Sequence, residues 1–312
     1  MNNAREANER SVGVEVSNSA LTAVCLNSIG EVTATHRVEV VFEEPSSIQL
    51  IAFIAGLEEF FGKFSAVGVA LPGLVDSERR NVAYSLHIPE HSGLDLANRI
   101  ETATGKTVVL ENDANAAGYG EYRLGAGRGA TDMFFATLGT GVGGSIIFDG
   151  EIWRGAAGFA GEFGYMPISS EGVRLEEVAS STNIIRRTRE RFHQDSTSSL
   201  VEIGEEKLTI SDIVSAAEAA DDFARLMIER TGHYVGICVA SVINLLNIER
   251  VVLGGEIMGG NHIILKSVIE KARELSFGPS FDATVIAPSE LGPNAAAAGA
   301  ALLASRAFLN SE

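Results

Sequence analysis

The chain has 312 residues, 46% of them hydrophobic and 21% charged, and it contains no low-complexity stretch. This length suits two domains better than one core. The 24 lysines and arginines stand against 41 aspartates and glutamates, a net charge of −17. An acidic surface argues against a nucleic acid or an anionic membrane as partner, because little positive field remains to neutralise phosphates.

Two further features of composition bear on where the protein works. The start, MNNAREANERS, lacks the apolar core of a signal peptide, and the longest nearly apolar run, 234–246, is too short to cross a bilayer. Cys25 and Cys238 lie in apolar runs, which predicts buried free thiols, and the absence of a Cys-x-x-Cys pair excludes a cysteine-rich zinc site. We therefore expect a soluble, cytoplasmic protein.

In the first half, strands and helices alternate. The stretch SVGVEVSNSALTAVCLNSIGEV predicts a strand, a tight turn, a second strand, a hairpin and a third strand. PSSIQLIAFIAGLEEFF then predicts a helix with Ser46 or Ser47 as N-cap, and AVGVAL a buried strand. LDLANRIETATG predicts a helix ending at Gly105, and KTVVLEND a strand that runs into the helix ANAAGYGEYRLG. This alternation favours a mixed α/β sheet.

The second half repeats the opening pattern. DMFFATLGTGVGGSIIFDGEIWRG again predicts strand, turn, strand, hairpin and strand, which suggests a duplicated domain with both turns facing a shared cleft. RLEEVASSTNIIRRTRERF is helical, and STSSLVEIGEEK is a loop. Two helices follow, at about 211–230 and 232–247, then the strand ERVVLGG and another helix. The last helix, NAAAAGAALLASRAFL, is rich in small residues and is expected to pack back onto the first domain.

TLGTGVGG is a candidate phosphate loop, because successive glycine amides can converge on an anion and Thr140 adds a hydroxyl. A glycine-rich β-turn is the plain alternative. The motif is neither a Walker A loop nor a dinucleotide fingerprint. VVLGGEIMGG offers a second glycine turn, whose flat backbone suits an adenine ring.

Carboxylates follow the buried strand of VLENDANAAG. Open α/β sheets bind ligands at the carboxyl ends of their strands. Asp113 there can act as a general base toward a substrate hydroxyl, with Asn112 holding a neighbouring hydroxyl. The alternative is that Asp113 is simply a helix N-cap. Glu162 and Glu176 are further candidates to accept hydrogen bonds from sugar hydroxyls, whereas Glu177 reads as part of a solvated helix face.

Taken in order, these segments resemble the ROK family of repressors, open reading frames and sugar kinases. The series ENDANAA, TLGTGVGG, GEIWRGAAGFAGEFG, LEEVASST, VVLGG and LGPNAAAAGAALLA carries the resemblance, which covers about Val12 to Ala307. It implies the actin-like ATPase fold, an α/β architecture of two ribonuclease-H-like domains around a central cleft. We assign residues 1–115 with the C-terminal helix 296–312 to one domain, and 116–295 to the other. The resemblance also implies ATP- and Mg²⁺-dependent phosphorylation of a hexose or amino sugar by a homodimer or homotetramer.

The resemblance carries the family's functional positions over residue by residue. Asp113 matches the base that deprotonates the attacking sugar hydroxyl. Matches to sugar-binding positions are Asn112, Glu162 and Glu176, and the sugar pocket is implied to include Gly73, Ser85 and His87. His87 stands where an asparagine is usual. Matches to nucleotide-binding positions are Gly139, Thr140, Gly141, Gly143 and Gly144 for the phosphates, and Gly254 and Gly255 for adenosine.

One departure from the family pattern concerns zinc. Typical members carry Gly-His after the glutamate that matches Glu162, and then a cysteine cluster that holds a structural zinc. This chain has Gly164-Tyr165 and no cysteine there. We therefore expect no structural zinc, a phenol at Tyr165 in place of a histidine that touches the sugar, and a pocket floor held by packing.

The other departure concerns the first phosphate loop. Kinase members usually read Asp-x-Gly-Gly-Thr where this chain reads Glu15-Val16-Ser17-Asn18-Ser19. Glu15 keeps a carboxylate for Mg²⁺, and Ser19 keeps a hydroxyl for a phosphate oxygen. The side chains of Ser17 and Asn18 occupy space that a phosphate would approach.

These features favour an ATP-dependent sugar kinase of the glucokinase type. The alternative is a catalytically silent sugar sensor, since repressor members often have an eroded first phosphate loop. Repressors also carry an N-terminal helix-turn-helix domain, which the ten polar residues before the first strand cannot form, so this sensor would not bind DNA. An acetate-kinase-like or chaperone relative is disfavoured by ENDANAA and GFAGEFG. The sequence does not identify the sugar.

Overall fold

The computed structural model describes residues 10–41, 43–76, 78–85, 88–191, 197–258 and 262–309. The chain divides into two compact units. The first lies within Met1–Arg128, Ile152–Ala160 and Pro293–Glu312, and the second within Gly129–Glu151 and Gly161–Gly292. The predicted boundary after residue 115 differs from this division. It would cut the helix Asp113–Leu124, all of which belongs to the first unit.

A five-stranded mixed sheet lies at the centre of the first unit. In chain order its elements are β1 (Ser11–Val16), β2 (Ala20–Leu26), β3 (Val32–Glu39), α1 (Ser46–Phe61), β4 (Ala66–Leu71), β5 (Leu74–Val75), β6 (Val82–Tyr84), α2 (Leu96–Thr104), β7 (Thr107–Asn112) and α3 (Asp113–Leu124). The order in the sheet is β3-β2-β1-β4-β7, with β5 and β6 forming a separate pair. Strands β1, β4 and β7 are parallel, so their carboxyl ends share one edge.

Local sequence explains both ends of α2 but not the start of α1. α2 begins after Asp95, whose side chain accepts the Asn98 N–H, and ends at Gly105 with φ 68°, as predicted. The predicted N-cap of α1 is wrong. That helix begins at Ser46 after Pro45 without a side-chain cap, and the Ser46 N–H donates instead to the Glu90 carboxylate.

The second unit repeats this sheet. Its elements are β8 (Met133–Leu138), β9 (Val142–Phe148), β10 (Glu151–Ile152), α4 (Glu176–Ala179), α5 (Ser181–Arg189), α6 (Leu200–Ile203), α7 (Ile210–Glu218), α8 (Asp222–Leu246), β11 (Arg250–Gly254), α9 (His262–Leu275), α10 (Gly278–Asp282) and β12 (Val285–Pro288). The order β10-β9-β8-β11-β12 matches that of the first sheet. Asp149 and Gly150, both with positive φ, join β9 to β10 in the manner of a type I′ turn. The predicted internal repeat is therefore visible in the topology.

The predicted pair of helices at 211–230 and 232–247 is wrong in its break point. The chain breaks at Ala219–Asp221 instead, where Ala220 has φ 64° and the Asp221 side chain caps α8. Gly232 lies inside α8 because α9 packs closely there. A Cβ at Gly232 would lie 2.6 Å from the Ser267 Cβ. The predicted loop at 196–207 likewise contains α6 and a short 3-10 turn, Glu205–Lys207.

Gly232→Ala is expected to destabilise the protein by about 1–3 kcal/mol, because the added methyl must displace α9. Gly56→Ala is the matched control. Gly56 lies in α1 and a Cβ there meets nothing within 4 Å, so the usual helix preference for alanine should stabilise by about 0.5–1 kcal/mol. Urea unfolding of both variants measures the difference. Stabilisation by both substitutions would contradict the close packing of α8 on α9.

The final helix, α11 (Ala295–Leu309), packs within the first unit. A Cβ at Gly13 of β1 would lie 1.9 Å from the Ala297 oxygen, and one at Gly68 of β4 would lie 1.9 Å from the Ala300 oxygen. The alanine-rich sequence therefore serves close helix–sheet contact. Within the described residues, no helix combines the length and apolarity that crossing a membrane requires. Cys25 and Cys238 are buried free thiols, as predicted, and burial raises the pKa of Cys238 to about 12.

Candidate active site

The first unit brings carboxylates together at the carboxyl edge of its parallel strands. Glu15 of β1 lies opposite Ala70 of β4, and Ala70 lies opposite Glu111 of β7, so the three form one row across the sheet. Asp113 follows two residues after Glu111. Ligands bind at this edge in open α/β sheets, as the sequence predicted for Asp113.

Asp113 is the first residue of α3, but it does not cap that helix. Asn112 is the N-cap, and its side-chain oxygen accepts the Asn115 N–H at 3.0 Å. The Asp113 Oδ1 accepts the Ala114 N–H at 2.8 Å and the Asn112 Nδ2–H at 3.1 Å. The capping explanation of Asp113 is therefore unnecessary, and its partly buried carboxylate is held in a defined orientation at the sheet edge.

Glu15 is electrostatically coupled to Asp113. Burial, and then the negative charge of Asp113, raises the pKa of Glu15 from 4.5 to about 7, against a smaller opposing effect of Arg37. A divalent cation would relieve this repulsion. Carboxylate oxygens are also the ligands that Mg²⁺ prefers, so Glu15 fits the role of a metal ligand.

The turn Ser17-Asn18-Ser19 adopts its shape without glycine. The Ser17 N–H and Oγ both donate to the Ala20 carbonyl, at 2.9 and 3.0 Å, and the Ala20 N–H donates to the Ser17 Oγ at 3.1 Å. The left-handed non-glycine residues of the described chain are Arg79, Asp149, Ala220 and Asn247, so this turn contains none. Asn18 and Ser19 are exposed. The side chain of Ser17 thus closes the turn itself.

Three predicted sugar-pocket residues lie together in the first unit. The Asn112 Nδ2–H donates to the Gly73 carbonyl at 3.0 Å, and a Cβ at Gly73 would lie 3.0 Å from the Ser85 Cβ. Gly73 has φ 141°, which also requires glycine. Ser85 is 2% exposed, and its hydroxyl is used by the fold: it donates to the Pro72 carbonyl and accepts the Ile88 N–H. His87 lies outside the described residues.

The second unit carries the glycine-rich stretch as a β-hairpin. The turn proper is Gly139-Thr140-Gly141, with the Gly139 N–H donating to the Gly141 carbonyl at 2.9 Å and Thr140 exposed at its tip. Gly143 and Gly144 lie in β9, paired with β8, and not in the turn. A Cβ at Gly144 would lie 2.7 Å from the Gly161 carbonyl oxygen, so this glycine serves packing. An open turn with a small exposed hydroxyl fits a phosphate.

The second glycine turn lies against the first. Gly255 has φ 93°, and a Cβ there would lie 2.3 Å from the Leu138 carbonyl oxygen, at the end of β8. The Glu256 Cγ lies 3.8 Å from the Cβ position of Gly139. Gly254 packs against the ring of Phe135, at 3.0 Å from its Cβ position. The two predicted nucleotide segments of this unit therefore form one surface.

Gly255→Ala is expected to destabilise the protein by at least about 2 kcal/mol, because it adds both backbone strain and a collision with Leu138. Gly278→Ala serves as control, since a Cβ at Gly278 meets nothing within 4 Å. Thermal and urea unfolding of both variants check the difference. Equal stability of the two variants would refute the close approach at Leu138.

The predicted sugar carboxylates of the second unit differ in their surroundings. The Glu176 Oε2 accepts the Val142 N–H at 2.9 Å, so this carboxylate already supports the first residue of β9. Its side chain is partly buried. Glu162 is exposed and precedes the 3-10 turn Phe163–Tyr165. Sugar contacts of both residues remain predictions.

A small hairpin occupies the segment where the zinc-binding cysteines of the family would follow. The Leu175 N–H donates to the Met166 carbonyl at 2.9 Å, and the Ile168 N–H to the Val173 carbonyl at 2.8 Å. The Arg174 guanidinium lies over the Tyr165 ring at 4.5 Å. The backbone bonds close the hairpin, and the cation–π contact with Arg174 holds the Tyr165 ring, which is half-exposed. The absence of zinc remains a prediction.

Sequence reasoning missed Arg154. Its guanidinium pairs with Glu111, a nearly fully buried carboxylate. A buried carboxylate at the end of an apolar strand signals that a cation must lie near. Nothing in the sequence says which of the 24 basic residues it is.

These features define a class of protein. Two units with the same sheet order, carboxylates at one strand edge and a glycine hairpin in the repeat are those of the actin-like ATPase fold. The ROK family model matches residues 11–307, and the chain belongs to the ROK family.

Known proteins similar to this chain include both enzymes and regulators. The chain is 30% identical to a glucokinase of Halalkalibacterium halodurans, over 82% of this chain and 83% of that one. It is 26% identical to a xylose repressor of Bacillus subtilis, over 78% of this chain and 62% of the repressor. A ROK family glucokinase from Streptomyces griseus, solved in complex with glucose and AMPPNP, superposes with a TM-score of 0.85 at 27% identity, over 95% and 99% of the two chains.

Proposed function

We propose that the protein is an ATP-dependent sugar kinase with Asp113 as its general base. The observation that carries this proposal lies at the start of α3. Asn112 caps the helix, and the Asp113 carboxylate is oriented at the sheet edge without a capping role. A carboxylate placed in this way can accept the proton of a sugar hydroxyl as that hydroxyl attacks the γ-phosphate.

The remaining roles follow the chemistry of each group. The Gly139–Gly141 turn and Thr140 would hold phosphate oxygens, and Gly254 and Gly255 would lie under adenosine. Glu15 would hold Mg²⁺, which supplies charge neutralisation when it arrives with ATP. Asn112, Glu162 and Glu176 would bind sugar hydroxyls, since amide and carboxylate oxygens accept them readily. The substrate class is a hexose or an amino sugar.

The test is ADP release from ATP and Mg²⁺ across glucose, mannose, fructose and their N-acetylated amino sugars. Sugar-dependent release is the expected result, and it also names the substrate. Absence of release with every sugar, from protein whose circular dichroism shows a folded chain, would remove the kinase assignment.

A second candidate is a sugar sensor without turnover. Two observations favour it: the similarity to the xylose repressor, and the Ser17 side chain that closes the first turn where kinases of this family carry glycine. Isothermal titration distinguishes the two functions. A sensor binds sugar and ignores ATP, whereas a kinase binds both.

A further inference from the structure

We propose that Arg154 is a positioning residue that, through a buried ion pair with Glu111, holds Asn112 and Asp113 in the geometry that the sugar requires. This role rests on the proposed function and adds to it a residue that the family motifs did not single out. Arg154 itself need not touch the sugar or the nucleotide.

Arg154 is the residue at which a closed loop begins. The segment Ile152–Ala160 belongs to the first unit, although the chain before and after it belongs to the second. The Ala160 N–H donates to the Arg154 carbonyl at 3.0 Å, which closes residues 155–159 into a loop. Gly155 and Gly158 have φ 69° and 89° and permit the turns. The backbone of Arg154 therefore fixes where this loop begins and ends.

The side chain of Arg154 anchors the loop to β7. Its Nη2–H donates to the Glu111 Oε2, and its Nη1–H donates to the Ile152 carbonyl at 3.3 Å. The Glu111 side chain is 3% exposed and that of Arg154 is 28% exposed. A carboxylate so deeply buried depends on its cation, because an isolated charge is strongly disfavoured away from water. The two residues are 43 positions apart, so the pair is a long-range tie.

The same carboxylate organises the start of α3. The Glu111 Oε1 accepts the Asn112 N–H at 3.1 Å and the Asn115 Nδ2–H at 3.2 Å. Asn115 is 4% exposed, and its own N–H is bound by the Asn112 cap. Asn112 in turn donates to the Asp113 Oδ1. Three contacts thus connect Arg154 to the proposed base, from Arg154 to Glu111, from Glu111 to Asn112 and from Asn112 to Asp113.

Loss of the pair should therefore lower stability and also disturb the positioning of Asn112 and Asp113, because it leaves a buried carboxylate without its cation. When Glu111 loses its cation, the backbone at Asn112 and Asp113 is free to shift. A displacement of about 1 Å at reacting groups costs about 10²-fold in rate. We expect kcat to fall and the KM for sugar to rise, while the KM for ATP stays unchanged.

The experiment compares Arg154→Met and Arg154→Lys with a matched control. Arg80→Met removes another arginine–glutamate pair of the same unit, in which Arg80 donates to Glu101 at 2.9 and 2.6 Å. Its side chains are 35% and 27% exposed, and it lies outside both groups of candidate site residues. We expect kcat/KM for sugar to fall about 10²-fold in Arg154→Met, less in Arg154→Lys, and not in Arg80→Met. If Arg154→Met does not fold, the test is the comparison of Arg154→Lys with Arg80→Met.

A second readout is independent of turnover. Trp153 is the single tryptophan of the chain, it is adjacent to Arg154, and it is 49% exposed. Titration of its fluorescence with the same sugars, without ATP, gives a Kd for each variant. We expect the Kd for sugar to rise in both Arg154 variants and to stay unchanged in Arg80→Met.

The outcomes separate this role from the kinase proposal. If sugar binds without turnover, the kinase assignment fails, and a raised Kd in the Arg154 variants still supports the positioning role. If the Arg154 and Arg80 variants behave alike in both assays, Arg154 is merely structural and the role is overturned while the kinase stands. If the wild-type protein neither binds nor phosphorylates any sugar, both proposals are wrong.

Discussion

Asp113→Asn is expected to lower sugar-dependent ATP turnover by about 10²- to 10⁴-fold while the fold remains intact. Asparagine has nearly the same shape, and its side-chain oxygen can still accept the Ala114 N–H and the Asn112 Nδ2–H that Asp113 accepts now. Because Asn112 caps α3, the substitution does not remove a cap. The change therefore removes proton acceptance and little else. Steady-state ADP release at saturating ATP and sugar measures the loss.

Asp95→Asn is the matched control for this substitution. Asp95 caps α2 in the same unit, and its carboxylate accepts the Asn98 N–H at 3.1 Å. Turnover should be unchanged in Asp95→Asn, since asparagine is also a good cap. Equal turnover in wild type and Asp113→Asn would exclude Asp113 as the base. Equal losses in the two variants would show that the rate responds to helix stability instead of proton transfer.

Much of the fold could be predicted because its signals are local. The strand AVGVAL is apolar at every position and forms β4, which is buried throughout. The α2 helix carries its own start and stop signals at Asp95 and Gly105. Such patterns depend on neighbours within a few residues, so the chain alone contains the information.

The sequence-based predictions of secondary structure were wrong where contacts between distant segments determine the structure. Gly232 resembles a helix breaker in the sequence, but α8 continues through it because α9 approaches too closely for a side chain. The sequence cannot show this, since Ser267 is the neighbour that matters and lies far along the chain. In the same way, Gly143 and Gly144 resemble loop glycines but lie in β9, where Gly144 makes room for Gly161.

In the candidate site, too, residues in contiguous motifs could be predicted, and residues that depend on contacts with distant segments could not. Asp113 and the glycine turn were predicted from contiguous motifs. Asn112 and Asp113 are both good capping residues, so only the hydrogen bond from Asn115 decides which one caps α3. The pair of Arg154 and Glu111 could not be predicted, because it joins two segments through a contact that no local pattern encodes.

The coupling between Glu15 and Asp113 predicts that the contribution of Glu15 to stability falls as pH rises from about 5 to 8. The pKa of Glu15 is raised from 4.5 to about 7 in the folded protein, so the folded state binds a proton more tightly than the unfolded chain between these values. The stabilising contribution is fully present below pH 4.5 and is lost as pH rises through about 7. The loss is about 3 kcal/mol from this group alone.

Glu15→Gln should remove this contribution, because a neutral amide has no charge to bury. Urea unfolding at several pH values measures it, with Glu39→Gln as control, since Glu39 is exposed on β3 of the same sheet. At pH 8 the Glu15→Gln protein should be the more stable by up to about 3 kcal/mol, and Glu39→Gln should follow wild type. Parallel curves for wild type and Glu15→Gln would contradict a partly buried Glu15 whose charge is coupled to Asp113.

Asp113→Asn provides an independent check of the same coupling. It removes the negative charge that helps to raise the pKa of Glu15, so this variant should also gain stability at pH 8, by less than Glu15→Gln because burial is the larger cause. A variant that loses turnover and gains stability would show that the carboxylate pair is kept for its chemistry at a cost to folding. A loss of stability in Asp113→Asn at pH 8 would mean that Asp113 supports the fold more than it strains Glu15.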